Sequence, residues 1–245
     1  MIPGEMTGPA QTFPPLYDLT AVPVGSVLIV APHPDDEIIG CGGAIALHAR
    51  RGDSLHVALV SGGEAGGDAE VRMSESRKAV ARLGSTEVTC LGATDGAVAG
   101  DSGVAARIRR VVERVQPRVV YAPSPFEMHP DHVATLDAVA VALGDREDID
   151  LLLFEVNAES MASFLLDITP VHSAKREALT VFASQLGSID IVEKADARNR
   201  ARTVNVDIPQ VTHAEAFMRV TPASVPDLRR RLVELAELLG LAPAS

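Results

Sequence analysis

The sequence predicts an α/β protein: a three-layer, Rossmann-like fold with a mostly parallel central sheet flanked by helices. Three observations predict it. Short continuous apolar runs, such as "SVLIVA" at 26–31 and "RVVYAP" at 118–123, have the character of strands buried on both faces. Amphipathic stretches ending in Gly or Pro lie between these runs. The strand-plus-helix unit recurs every ~25–30 residues, as expected of βαβ units in a parallel sheet.

The elements follow in order. The strand at 26–31 leads to a helix, "GGAIALHARRG", ending at Gly52. A second strand, "LHVALV" (55–60), runs into the Gly-rich "SGGEAGG", and a helix from 69 closes at Gly84. "EVTCLG" is a third strand, "DGAVAGDSG" a loop, and "GVAARIRRVVERVQP" a helix stopped by Pro117. The strand at 118–123 is the fourth, the helix "DHVATLDAVAVALG" ends at Gly144, and "DLLLFEV" is the fifth strand. After residue 157 the alternation ends, and helices are expected at 172–187, 189–204 and 225–240. No internal repeat, low-complexity tract or clear linker divides the chain. Residues 1–245 read as one domain, with 1–22 an extended Pro-rich arm and 158–245 an irregular, helical part shaping the substrate side.

Composition narrows the function classes. The chain is 47% hydrophobic, enough for a sizeable core, and its formal charge of −11 argues against a nucleic-acid or anionic-membrane surface. No apolar run approaches the ~20 residues that span a bilayer. The first basic residue is Arg50, so no basic secretory start is visible. Cys41 and Cys90 are too few for a disulfide framework; reduced thiols in the cytoplasm are expected over a lone disulfide. The arm and the C-terminal helix have no evident use in a monomer, so a homo-oligomer is expected.

The first strand ends in "APHPDDE". An imidazole and three carboxylates, His33, Asp35, Asp36 and Glu37, crowd into five positions at a strand's carboxyl end, where open parallel sheets bind ligands. Acids there also favour a helix N-terminus, but that use needs one acid, not three with a His. His33 and Asp36, three apart, can face one cation on a turn, while Asp35 points elsewhere and stays free for proton transfer. A second cluster, "PFEMHPDH", follows the fourth strand on the same sheet edge. It holds His129 and His132, again three apart, with Asp131 between them. Together the clusters offer two His and one carboxylate, the composition of a catalytic zinc site with an open position for water.

These two motifs resemble those of the PIG-L/LmbE-like family of metal-dependent N-acetyl-sugar deacetylases. "SGGE", "RMSESRKAVARLG", "LGATDG", "KREALTVFASQ" and "AEAF" (214–217) resemble further family segments, so the likeness runs over about residues 25–220. The resemblance implies zinc, with Fe2+ or another divalent metal as alternatives, held by His33, Asp36 and His132. It implies Asp35 as general base, His129 as the group that stabilises the oxyanion or protonates the amine, and Asp131 as an orienting partner of a histidine. It also implies substrate contacts from Arg72, Asp95 and Glu64. Two of these have a plainer reading: Arg72 as a solvated helix-face charge, Asp95 as an ordinary Asp-Gly turn.

The activity so implied is hydrolysis of an N-acetylglucosamine-type conjugate, a small-molecule substrate, to acetate and free amine. Rivals are an amidase acting on a larger acyl or thiol-conjugate amide, a facial-triad Fe(II) oxygenase, and a metal-dependent sugar binder. The βα context and His-x-x-Asp spacing speak against the oxygenase, and an intact Asp35 against a binder. "GCGG" lacks the G-x-G-x-x-G order of a dinucleotide site, and the second strand ends in Ser61, not an acid. Cys41 is expected to be a packed residue, Tyr121 a wall near the site, and His48, His56, His172 and His213 structural. Substrate choice is expected in residues 62–70, 95–103 and 157–172.

Overall fold

The computed structural model describes residues 18–85, 87–187 and 190–241. Residues 1–17 of the expected arm lie outside them. The strands are β1 (Asp18–Leu19), β2 (Val27–Ala31), β3 (Leu55–Ser61), β4 (Glu87–Ala93), β5 (Val119–Pro123), β6 (Asp150–Phe154), β7 (Phe164–Asp167) and β8 (Ala214–Val220). The helices are α1 (Asp36–Arg51), α2 (Ala69–Arg82), α3 (Val104–Val115), α4 (Pro130–Leu143), α5 (His172–Leu179), α6 (Ala183–Leu186), α7 (Ile191–Ala201) and α8 (Val225–Leu238).

The strands form one sheet in the order β1-β7-β8-β6-β5-β2-β3-β4. β2 pairs in parallel with both β3 and β5, and β5 in parallel with β6. β8 runs antiparallel to β6 and to β7, so the sheet is mixed but mostly parallel. β2, β3 and β5 are buried along their whole length, which is why they read as unbroken apolar runs. Side chains alternate between two cores. Val27, Ile29 and Ala31 face one core, which includes Ile45 of α1, Val80 of α2 and Leu179 of α5; Leu28 and Val30 face the other, with Ile108 of α3 and Leu136 of α4. Helices thus cover both faces, in the three-layer arrangement expected.

Chain order reverses between β2 and β5: the path from β2 runs outward to β3 and β4, that from β5 outward to β6. Such a switch point opens a crevice at the strands' carboxyl ends. Both His/Asp clusters leave the sheet there.

The structure departs from the sequence reading in four places. β1, β7 and β8 lie outside the five expected strands; β7 has four residues, too few for a pattern, and β8 sits in a stretch with no strand–helix alternation. The single helix expected over 172–187 breaks after Leu179 into α5 and α6. Tyr121 is not a site wall: it is 1% exposed in the core, its hydroxyl 2.9 Å from His48 Nε2. And α1 begins at Asp36, ahead of Gly42, with a kink at Cys41 (φ −141°, ψ 26°).

That kink has a physical cause. Gly40 lets the ring of Phe154 approach to where a Cβ would lie 2.2 Å away. Beyond the kink, the Glu215 carboxylate accepts the Gly43 and Ala44 amides at 2.6 and 2.9 Å, capping the second helical piece. Lys175 Nζ balances that carboxylate at 2.8 Å and donates to the Ile39 carbonyl at 2.9 Å. Removing one partner of such a buried pair costs about 3–5 kcal/mol. Cys41, buried at the kink, donates its thiol to the Glu37 carbonyl; it and Cys90 are free thiols.

Candidate metal centre

The β2–α1 turn is strained. Asp35 has φ 113°, ψ −32°, a conformation that costs a non-glycine residue about 1–3 kcal/mol. Three contacts hold it. The Asp35 amide donates to Glu37 Oε2 at 2.9 Å, Arg72 Nη2 donates to Asp35 Oδ2 at 3.2 Å, and the same nitrogen reaches the Pro34 carbonyl at 2.8 Å. Glu37 is fully buried and accepts Ser76 Oγ at 2.6 Å; burial raises its pKa to about 7. The turn throws Asp35 and Asp36 apart, as consecutive residues with different tasks require.

His33, Asp36 and His132 converge. Asp36 Oδ2 lies 3.1 Å from His33 Nδ1 and 3.2 Å from His132 Nε2. A tetrahedral ion with bonds of ~2.0–2.1 Å holds its ligand atoms ~3.3 Å apart, so the donor set fits a zinc-class cation. Burial pushes the Asp36 carboxyl up, but His132 first and His33 next outweigh it and hold it far below the usual carboxylate range. Burial would lower His132, yet Asp36 and Glu127 together raise it to about 10. The pocket between these groups demands positive charge, from a proton or from a metal.

Outer partners orient both imidazoles, as metal-ligating histidines require. His33 Nε2 lies 3.3 Å from Asp131 Oδ2 and 3.0 Å from Asp95 Oδ1. Asp131 is itself fixed by the Gly96 and Val98 amides at 2.7 and 3.2 Å. His132 Nδ1 lies 3.1 Å from Glu127 Oε2, and Glu127 accepts the Val156 and Asn157 amides at 2.7 and 2.9 Å. Sequence reasoning missed Glu127, although it stands inside "PFEMHPDH". Two groups that share His33 have all their ligand atoms within 4.8 Å of one another: His33, His129 and His132, and His33, Asp95 and Asp131.

His129 caps α4, its Nδ1 accepting the Asp131 amide at 3.2 Å. The proton of the neutral ring therefore sits on Nε2, leaving an N–H donor. Burial and the neighbouring His33 and His132 lower its pKa, which keeps it neutral. Burial and Asp36 push the Asp35 carboxyl up, so it is a stronger base when ionised.

Asp35, Asp36 and His129 line a cavity of about 600 Å³. Its apolar walls are Ile39, Met128, Val156, Ile191 and Ala195; its polar ones are Asn157, Gln185, Lys194 and Arg198. Arg72, Asp95 and Glu64 do not line it. Arg72 lies buried behind Asp35, and Asp95 and Glu64 brace two loops: Asp95 N donates to Glu64 Oε1 and Ala65 N to Asp95 Oδ2, both at 2.9 Å. The loops expected to choose the substrate, 62–70 and 95–103, give no wall residue, and 157–172 gives Asn157 alone. From the C-terminal part, Gln185 of α6 and Ile191, Lys194, Ala195 and Arg198 of α7 line the cavity.

A mostly parallel sheet with histidines and carboxylates gathered at its switch point defines an α/β protein with a candidate metal centre. Residues 28–143 match the family model of the GlcNAc-PI de-N-acetylases, PIG-L, so this stretch of the chain is similar to that family. It is 32% identical over 165 residues to a 1D-myo-inositol 2-acetamido-2-deoxy-alpha-D-glucopyranoside deacetylase of Kineococcus radiotolerans, covering 49% of this chain and 46% of that one. It is 29% identical over 193 residues to a 4-oxalmesaconate hydratase of Pseudomonas putida, covering 66% and 75%. A conserved protein of Thermus thermophilus superimposes with a TM-score of 0.72 at 29% identity, over 81% of this chain and 96% of that one. The chain thus spans about half the length of the first curated relative and three quarters of the second.

Proposed function

We propose that this chain is a zinc-dependent amide hydrolase that removes the acetyl group from an N-acetylglucosamine-type conjugate. One observation carries the reading: His33 and His132 share a single Asp36 oxygen at ligand spacing, with Asp35 and His129 beside them on the cavity wall. The sugar deacetylase relative and the PIG-L family match support the choice of substrate.

His33, Asp36 and His132 would hold the ion, which when bound would polarise the acyl carbonyl and lower the pKa of a water to about 7. Asp35 takes the proton of the attacking water; Arg72 and the Glu37 contact keep its carboxylate in place. His129 Nε2–H donates to the developing oxyanion. The amine then leaves protonated, and Asp35, now carrying the proton, is the acid within the cavity. Asp131 and Glu127 would orient the two imidazoles for binding the ion.

A second reading rests on Lys194 and Arg198, which bring two cations to the cavity of a chain with net charge −11. They suit a carboxylated substrate, as the hydratase relative's name implies for that protein. One assay separates the two. The zinc-loaded chain is incubated with N-acetylglucosamine conjugates, neutral and acidic, and acetate and free amine are measured. Equimolar acetate and amine, abolished by a chelator and restored by zinc, is expected. No amine from any conjugate, with hydration of an unsaturated dicarboxylate instead, overturns the deacetylase reading.

Among the described residues, no helix is long and apolar enough to cross a membrane. The two free thiols support a cytoplasmic location. α8 leaves Val233, Leu235 and Leu238 exposed, which supports a homo-oligomer; light scattering at micromolar concentration tests it, and a monomer mass overturns it. Residues 1–245 are proposed to form one domain.

A further inference from the structure

Apart from the residues that line the cavity, three segments separated in sequence bring His172, Asp196 and His213 together. His172 opens α5, Asp196 lies on α7, and His213 precedes β8. The side-chain ligand atoms of the three lie within 4.8 Å of one another. His172 Nε2 is 2.5 Å from Asp196 Oδ1, and His213 Nε2 is 3.5 Å from the same oxygen. The two rings stack at 3.5 Å between centroids, 15° from parallel. We propose that these residues form a second divalent-metal site, for a borderline cation of the zinc class.

An ion pair alone accounts for part of this arrangement. His172 and Arg176, whose Nη1 lies 3.2 Å from Asp196 Oδ1, already satisfy that oxygen. His213 is the residue left over. At 3.5 Å its Nε2 is too long for a good N–H···O bond to Asp196. A second charged ring stacked on His172 would repel it, so the pair cannot both be imidazolium at low cost.

The supports around His213 are those of a ligand. Its Nδ1 lies 2.9 Å from Thr212 Oγ1, the outer partner that sets a ligating ring's tautomer. The Thr212 and His213 amides both donate to Thr169 Oγ1, at 2.9 and 3.2 Å, so the loop is pinned. Each of the three side chains is only partly buried, and Asp196 borders a surface cleft of about 490 Å³, which gives an ion its way in and a water its place as fourth ligand. The His213–Asp196 spacing is close to the ~3.3 Å between ligands of a tetrahedral ion; to bind one, the His172–Asp196 pair must open by about 0.8 Å and the two rings must tilt out of their stack so that both lone pairs meet the ion. Arg176 opposes a cation here, but Glu193 Oε1, 2.6 Å from its Nη2, gives it an alternative partner.

The consequence is mechanical. An ion here ties α5, α7 and the start of β8 together, and α7 carries Ile191, Lys194 and Arg198 of the cavity wall. The site is independent of the proposed deacetylase activity, and its test separates the two centres. The full chain, stripped by a chelator, is titrated with zinc and the bound metal counted after dialysis. Two equivalents are expected in the wild type, one in His213→Ala and in Asp196→Asn, and one in His132→Ala. A single equivalent in the wild type, lost in His132→Ala, overturns the proposal, as does retention of both in His213→Ala. Should the His213 variant fail to fold, cobalt(II) is added to His132→Ala, where the outer cluster is intact and the inner site has lost a ligand. A visible d–d band is expected there, and its absence overturns the proposal.

Discussion

The two histidine–aspartate clusters use the same side chains to different ends. The inner one is assembled from two adjacent turns, after β2 and β5, and each imidazole has a buried acid behind it: Asp131 for His33, Glu127 for His132. The outer one is assembled from three distant segments, is partly exposed, and has a threonine and an arginine around it where the inner one has carboxylates. Charge follows surroundings. Two acids raise His132 to about 10, whereas burial and a neighbouring imidazole lower His213. Identity of the ligand types therefore says less than the second layer: carboxylates behind the rings make the inner site hungry for a cation.

Removing an inner ligand should have the largest effect. His132→Ala and Asp36→Asn are expected to lose bound metal and, with it, roughly 10³-fold or more of the rate, the equivalent of several kcal/mol of charge stabilisation. Excess zinc should restore part of the loss in Asp36→Asn. Elemental analysis beside kcat decides this; full metal content in Asp36→Asn would move the ion to the group formed by His33, His129 and His132, and full content in His132→Ala to that formed by His33, Asp95 and Asp131.

Asp35→Asn should come next. It removes the base but no ligand, so the metal stays while kcat falls roughly 10²-fold or more, the scale of general-base catalysis. The change also removes the charge paired with Arg72, so a melting curve must accompany it. If Asp35→Asn loses metal and Asp36→Asn keeps it, the two adjacent acids have exchanged roles.

Glu127→Gln tests the second layer directly. The amide oxygen still accepts one of the Val156 and Asn157 N–H groups, which reach different oxygens of Glu127, and the side chain no longer carries the charge behind His132. A 10–100-fold loss of zinc affinity is expected, roughly the usual scale for an outer partner. Unchanged affinity in a competition titration would mean that the contrast between the two clusters does not lie in their carboxylates.

The same contrast explains what was legible beforehand. His33, Asp36, His129 and His132 could be found because each pair is local, three apart, after an apolar strand. Strands β2, β3, β5 and β6 show in the same way, since strands buried on both faces cannot hide their apolar runs. β7 and β8 escaped because they are short or lack the alternation, and because β8 enters antiparallel between strands formed much earlier in the chain. Arg72 could be singled out but not its partner: only the packing of α2 behind the β2–α1 turn brings its guanidinium onto Asp35. Lys194 and Arg198 read as ordinary charges on an amphipathic helix until α7 is laid along the cavity. His172 and His213 stand 41 residues apart with no motif between them, so nothing short of the tertiary structure could join them.

The smallest effect expected is on stability against pH in the metal-free chain, where the two clusters should pull in opposite directions. His132 has a folded pKa near 10, above the ~6.5 of an unfolded histidine. Its contribution is therefore present in full below about pH 6.5 and is lost as pH rises towards about 10. His213 is the reverse. Its folded pKa is depressed by burial, then by His172, with Arg200 and Arg176 adding to the effect and Asp196 opposing it. The unfolded chain binds the proton more readily, so stability falls as pH drops below ~6.5. His213→Gln should flatten the acid side and leave the alkaline side alone, while His132→Gln should flatten the alkaline side only. Urea midpoints of the three stripped proteins between about pH 5 and 9, with folding checked by circular dichroism, make the comparison. A wild type whose alkaline slope survives in His132→Gln would place the positive charge of the inner cluster elsewhere. An acid slope unchanged in His213→Gln would mean that the outer ring is not held neutral in the metal-free chain.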